Sequence, residues 1–191
     1  MTDHADPRYQ ATLRAPFATL GIATDGRAIT GVAYLPASHP GLPPSDAVAE
    51  RAVRELERYL DDPGFRFTLP LAPRGTPFQR RAWDAILDIP AGESRTYGEL
   101  ARKLVTAARA VGQACGANPI ALIIPCHRVV GSLGALGGFM GTPGTFAPSS
   151  AGDLFAKSAS NPAPPATPDD PRFPAAIKRW LLSHEGYRFG R

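Results

Sequence analysis

The segment Ile123-Ile124-Pro125-Cys126-His127-Arg128-Val129-Val130 sets a thiol, an imidazole and a guanidinium side by side at the end of an apolar run. The chain has only two cysteines, Cys115 and Cys126, and four histidines, so this adjacency does not follow from abundance. A thiol becomes a strong nucleophile or acceptor when a neighbouring group takes its proton, and imidazole is the usual base near neutral pH. The competing reading is a buried cysteine acting as a small hydrophobe. If the segment is extended, neighbouring side chains point to opposite faces, and His127 reaches Cys126 only through a water molecule or a turn after Pro125. Nothing nearby resembles a hydrolase oxyanion loop. Two cysteines are too few for a disulfide framework, and His4, His39, His127 and His184 show no zinc-like spacing.

The elements that must position these groups can be read from periodicity. Alternation on either side of Asp25-Gly26 predicts a hairpin. A helix follows, capped by Ser45 or Asp46 and ending before Pro63-Gly64, and then a strand over "FRFTLPL". Thr76, Pro77 and Gln79 form the signature of a capped helix whose core face is Ala82, Trp83, Ile86 and Leu87. Thr96 and Glu99 repeat that device at the start of "TYGELARKL", and after a very short connection a third helix ends near Asn118-Pro119. Two short helices joined by a tight turn and carrying Arg102, Lys103 and Arg109 fit a helix-turn-helix, although any hairpin of helices reads similarly. From Thr142 to Pro174 the chain holds eight of its 21 prolines and little apolar periodicity, which predicts a disordered or lid-like insertion. "AAIKRWLLSHEG" resumes helical periodicity from about Ala175.

The expected fold is therefore an α/β N-terminal unit, residues 1–72, with a small antiparallel sheet and a helix. A mostly α domain follows over residues 73–191, helix-turn-helix and winged-helix-like, with the Pro-rich insertion at 142–174. The length of 191 residues and 43% hydrophobic content suit a globular protein with a real core. No run of apolar residues is long enough to span a bilayer, and the polar N-terminus lacks a secretory pattern, so a cytoplasmic protein without membrane association is expected. Residues 1–75 carry eight Arg and nine Asp/Glu, whereas residues 76–191 carry thirteen Lys/Arg and eight Asp/Glu. A basic half beside a near-neutral half fits a polyanionic partner such as nucleic acid, and it also fits ordinary solvated surface.

"RAVGQACGANP", then "PCHRVV", and finally "KRWLLSHEG" resemble the 6-O-alkylguanine-DNA alkyltransferase family (methylated-DNA–protein-cysteine methyltransferases). The resemblance is close over residues 76–141 and 175–186 and general before that. It implies direct DNA repair: irreversible, single-turnover transfer of the alkyl group from 6-O-alkylguanine, or from 4-O-alkylthymine, to Cys126. It implies further that His127 takes the thiol proton through a water, with Glu185 orienting the imidazole, so that the Cys126 pKa falls below its ordinary value. By the same resemblance, Tyr97 donates to the departing guanine and Asn118 hinges the helix to the cysteine loop. Arg109 fills the place of the extruded base, and Ala110, Thr96 and Arg128 join it in the set expected at the DNA, with Arg128 more suited to ordering the site. Phe139, Met140 and Lys178 belong to the substrate pocket. The implied partner is double-stranded DNA containing alkylated guanine, bound by a monomer in the minor groove, with no metal and no cofactor.

Three features depart from the family pattern. Phe139 stands where a tyrosine is common, the turn between the paired helices is about two residues short, and the Pro-rich insertion follows Gly141, in the loop that walls the pocket. The alternative function is a non-enzymatic alkyl-lesion-binding protein, against which Cys126 itself counts, because such proteins carry another residue in the acceptor position. A transcription regulator using the helix pair, and a cysteine hydrolase, fit less of the sequence.

Overall fold

The computed structural model describes residues 8–132, 135–140 and 173–187. The insertion expected at 142–174 falls almost entirely on residues outside the described ones. Three antiparallel strands, β1 (Ala11–Ala15), β2 (Ala18–Thr24) and β3 (Ile29–Leu35), form a sheet in that order. The turn between β2 and β3 is the predicted one: Gly26 takes a positive φ of 80°, and the Asp25 carboxylate accepts from the backbone N–H of Arg27 and Ala28. Leu20, Ile22, Ile29 and Val32 are buried beneath α1 (Ala47–Asp61), whose Ala49, Ala52, Leu56 and Tyr59 form the facing stripe. Asp46, not Ser45, caps this helix through the Ala49 N–H at 2.8 Å.

The strand expected over "FRFTLPL" does not form. Residues 65–71 meet the sheet at a single bridge, Ile29 with Leu71. Pro70 has no N–H to donate, and the N–H and hydroxyl of Thr68 both go to the Glu55 carboxylate on α1, at 2.7 Å each. Side-chain acceptors have taken the donors that a ladder would need.

The remaining helices are α2 (Pro77–Leu87), α3 (Tyr97–Leu104), α4 (Ala108–Gly116) and α5 (Phe173–His184). Both predicted capping boxes, Thr76 with Gln79 and Thr96 with Glu99, are present. Trp83 is buried and its indole N–H donates to the Ala114 carbonyl at 2.8 Å, which ties α2 to α4. α5 starts two residues earlier than its periodicity suggested: Phe173 is in the core, and Pro174 is tolerated in the first turn, where its missing N–H has no intrahelical role.

Two short pairings that periodicity could not reveal bring the chemistry-bearing segments together. β4 (Arg95–Thr96) runs parallel to β5 (Val129–Val130), which sets the first turn of α3 against the end of the Cys-His-Arg segment. On the other side, Val32 of β3 donates to the Pro119 carbonyl and accepts from Ala121 N–H, which anchors the chain leading to Pro125 on the sheet. One cluster of buried side chains is continuous from Phe17 and Tyr59 to Cys126 and Ile177.

The turn between α3 and α4 is three residues long, and Val105 meets it in the left-handed region, φ 52° and ψ 58°, almost fully exposed. A β-branched residue there gains no burial and crowds its own backbone. Replacing it with Gly removes that strain at the usual glycine position of a helix C-terminus, against a smaller cost from the freer unfolded chain. Val105→Gly is expected to stabilise the protein by about 1 kcal/mol in urea unfolding; a loss of stability would show that the valine is unstrained.

Candidate active site

Pro125 ends the apolar run and the chain then turns. Cys126–Arg128 form one turn of 3-10 helix, held by Cys126 N–H to the Ile124 carbonyl and Arg128 N–H to the Pro125 carbonyl. The extended geometry that would point Cys126 and His127 to opposite faces is therefore not adopted. Asn118, just beyond α4, clamps this turn. Its amide donates to the Ile124 carbonyl at 2.9 Å and to the Cys126 sulfur at 3.1 Å, and its oxygen accepts from Ile120 N–H. Asn118 thus connects the helix, the turn and the thiol through a single side chain.

Behind the turn lies a buried carboxylate. Glu185 Oε1 accepts from His127 Nε2 at 2.9 Å, from Tyr59 at 2.7 Å and from Arg128 Nη2 at 2.8 Å, while Oε2 accepts from Arg128 Nε at 2.9 Å. Burial alone would raise the Glu185 carboxyl, but the hydrogen bonds and charges of His127 and Arg128 outweigh it and hold the group well below the usual carboxylate range. Burial pushes the His127 imidazole down against the pull of Glu185, so the ring rests neutral. An ionised carboxylate only accepts, so Nε2 carries the proton and Nδ1 is the free base. That Nδ1 is buried and has no hydrogen-bond partner among the described residues.

The Cys126 sulfur opens onto a pocket of about 320 Å³ whose lining includes Tyr34, Cys115, Asn118, Phe139 and Met140. Cys115, on the last turn of α4, lines the same pocket as Cys126, near enough for each thiol to affect the ionisation of the other. Contact with Cys115 and then burial push the Cys126 thiol up, contrary to the expected depression. The physical reason is that His127 is neutral here and brings no positive charge to favour the thiolate.

Lys178 was expected at the pocket and sits instead beneath it, with no exposure. Its ammonium donates to the carbonyls of Val129, Leu136 and Gly138 and lies 5.7 Å from the centre of the Phe139 ring. Burial lowers its pKa to about 8. Tyr97 is largely buried and donates to the Gly138 carbonyl at 2.8 Å. Gly137 permits this approach: it has φ 68°, and a Cβ there would stand 2.8 Å from the Tyr97 ring.

The residues grouped for DNA contact differ in what they present to solvent. Arg109 is exposed on the first turn of α4 and Ala110 beside it is half-buried. The Thr96 hydroxyl caps α3 and pairs with Glu99. Arg128 takes the ordering role for which it was better suited than for DNA contact: its guanidinium holds the Glu185 carboxylate and the Ile89 carbonyl, and its side chain is only 12% exposed.

Sequence reasoning missed Tyr59, Tyr34 and Cys115. The first two come from the N-terminal unit, 126 residues before Glu185 in the case of Tyr59, and no local pattern marks either. Cys115 carried one available signal, as the only other cysteine. Among the described residues, no group of three or more His, Cys, Asp or Glu side chains could hold a metal ion, and no helix is long and apolar enough to cross a membrane.

Residues 77–149 match the family described as 6-O-methylguanine DNA methyltransferase, DNA binding domain. The chain is 37% identical over 138 residues to the methylated-DNA–protein-cysteine methyltransferase of Methanosarcina mazei, covering 69% of this chain and 87% of that protein. The Mycobacterium leprae protein of the same name is 42% identical over 137 residues, 68% of this chain and 82% of its own length. Among solved structures, Mycobacterium tuberculosis O6-methylguanine methyltransferase is 32% identical, with TM-score 0.64 over 93% of this chain and 92% of that one. Mycobacterium tuberculosis OGT in complex with DNA is 42% identical, with TM-score 0.59 over 68% of this chain and 83% of that one.

The buried carboxylate has a measurable signature. A carboxyl held low in the folded state contributes stability that is complete above the ordinary carboxylate range and is lost as pH falls through the folded value. The lowered His127 acts in the same sense: its neutral form supports folding above a pH of about 6.5, and this support is lost below. Glu185→Gln leaves Arg128 buried without its counter-charge and is expected to cost about 3 kcal/mol at pH 7. In urea unfolding at a series of pH values, the gap between the two proteins should narrow on acidification. A gap independent of pH would rule out an ionised Glu185.

Proposed function

The chain belongs to the methylated-DNA–protein-cysteine methyltransferase family, and from that premise we propose that it repairs DNA by moving an alkyl group from 6-O-alkylguanine to Cys126, once per molecule. The observation that carries this reading is a thiol facing an open pocket, clamped by Asn118, next to a neutral His127 whose Nε2–H is fixed on Glu185. With Nε2 engaged, Nδ1 is the nitrogen able to take the thiol proton, through one water in the proposed relay. Raised thiol pKa and neutral imidazole mean that the acceptor rests protonated and ionises as it reacts. Holding the thiol protonated at rest limits stray alkylation.

In the transfer, the Cys126 sulfur forms a bond to the alkyl carbon as the carbon–oxygen bond breaks and its electron pair passes to the guanine. Tyr97 donates a hydrogen bond or proton to the departing guanine, making it a better leaving group. Burial raises the Tyr97 pKa, so the phenol stays protonated and able to donate. Lys178 lies close enough to favour the thiolate electrostatically, and its three carbonyl contacts hold the segment that carries Phe139 and Met140. The product is a thioether, which has no good leaving group, so the acceptor is not regenerated.

A base within a duplex must leave the stack before Cys126 can reach it, at a cost of about a few kcal/mol. Arg109 is exposed on α4 among Ala107, Ala108, Ala110 and Gly112, small residues that let the helix lie close to a groove. We assign Arg109 to the vacated position in the stack, with α4 in the minor groove, where degenerate readout suits repair in any sequence. The chain acts in this reading as a monomer without a cofactor, and 4-O-alkylthymine is a second substrate of the same chemistry.

Incubation with a duplex containing 6-O-methylguanine is expected to raise the intact mass by one methyl group per chain, mapped to Cys126. DNA binding with unchanged mass would instead identify a lesion-binding protein. Arg109→Ala should slow repair of the duplex at least about tenfold more than reaction with a free 6-O-alkylguanine base, since only the duplex requires extrusion. Equal losses on both substrates would remove Arg109 from that role.

A further inference from the structure

Cys115 has no part in the transfer proposed above, yet it lines the same pocket as Cys126, and Asn118 holds both residues, its backbone N–H on the Cys115 carbonyl at 3.2 Å and its side-chain amide on the Cys126 sulfur at 3.1 Å. It is half-buried on the last turn of α4, whereas Cys126 is almost wholly buried. These are the only two cysteines in the chain. We propose that Cys115 and Cys126 form a reversibly oxidisable dithiol, in which a peroxide converts the pair to an intramolecular disulfide that seals the acceptor.

The chemistry closes without any further partner. The first thiolate attacks the peroxide oxygen, the O–O bond breaks, and a sulfenic acid forms with release of water. The second thiol then attacks that sulfur, a sulfur–sulfur bond forms, and a second water leaves. Two thiols and one hydrogen peroxide thus yield a disulfide and two waters, the sulfurs giving two electrons to the peroxide. Cys115 is the sulfur oxidised first, being the more exposed. The S–H of Cys126 favours its thiolate, against the opposing effect of burial, and Lys178 adds to that stabilisation. The ionisable and polar groups around the pair are Lys178 and Tyr97 from the floor, Asn118 from the end of α4, Tyr34 from β3, and His127 on the acceptor turn.

The partner thiol matters most for a protein that uses its acceptor once. An isolated cysteine proceeds from sulfenic to sulfinic acid and is lost, whereas a sulfenic acid with a thiol in contact is trapped as a disulfide that reductants reopen. The cross-link joins two residues that Asn118 already ties together, through the Cys115 carbonyl and the Cys126 sulfur. Arg109 lies at the opposite end of α4, so the oxidised protein should still bind DNA while accepting no alkyl group.

The experiment treats the full chain with hydrogen peroxide and follows mass and alkyl acceptance together. Cleavage after Arg109 and Arg128 releases residues 110–128 with both cysteines in one peptide. That peptide is expected to lose the mass of two hydrogens, and acceptance of an alkyl group should fall at least about tenfold. Dithiothreitol should restore both. In Cys115→Ala the two-hydrogen loss should vanish and the peptide should gain oxygen instead. Oxygen addition in the unaltered protein, a disulfide between two chains, or an unchanged peptide would each overturn the proposal. The consequence for repair rests on Cys126 being the acceptor, but the cross-link is read by mass alone. A wild-type protein that gains no methyl group from alkylated DNA yet forms the disulfide would sink the repair reading and leave the dithiol standing.

Discussion

The buried Glu185 carboxylate is the constraint on which the rest of the site depends. A buried ionised carboxylate needs donors to replace its hydration, and here one imidazole, one phenol and a forked guanidinium supply them, three bonds at Oε1 and one at Oε2. The donors come from two distant places in the chain, Tyr59 on α1 and the adjacent His127 and Arg128 of the acceptor turn. Satisfying one charge therefore assembles the molecule around it. It also selects the His127 tautomer, because an acceptor-only partner at Nε2 leaves Nδ1 as the basic nitrogen.

The N-terminal unit is part of this assembly and not an appendage to it. Tyr59 reaches Glu185 from α1, Tyr34 joins the pocket wall and packs against Phe139 at 6.1 Å, and Val32 pairs with the segment leading to Pro125. The core runs without interruption from the sheet to α5, where Phe17 packs on Trp180 at 4.6 Å. A division near residue 72 follows the change of secondary-structure pattern, but the buried contacts cross it freely.

The pocket floor shows a second buried charge handled by other means. Lys178 has no carboxylate partner within the contacts described and instead donates to three carbonyls and faces two aromatic rings. Partial charges replace a full counter-ion, and the ammonium becomes easier to deprotonate, with its pKa near 8. The same contacts hold Val129, Leu136 and Gly138 in place, and Gly137 gives Tyr97 the space it needs.

The chain's order of residues determined whatever depends on neighbours a few positions apart. The hairpin at Asp25-Gly26, both capping boxes, the paired helices around Arg109 and the Cys-His-Arg run were legible because turn conformations, caps and helical faces are set locally. The role expected for Glu185 came from likeness to a family, and the observed contact agrees with it, although nothing in its local pattern marks a buried carboxylate. Only the tertiary structure decided that "FRFTLPL" is not a strand, because Glu55 took the Thr68 donors. It alone placed Tyr59 on Glu185, buried Lys178 and brought Cys115 into the pocket of Cys126. These outcomes depend on which buried polar groups find partners across the fold, a competition settled by distance in space and not by spacing along the chain.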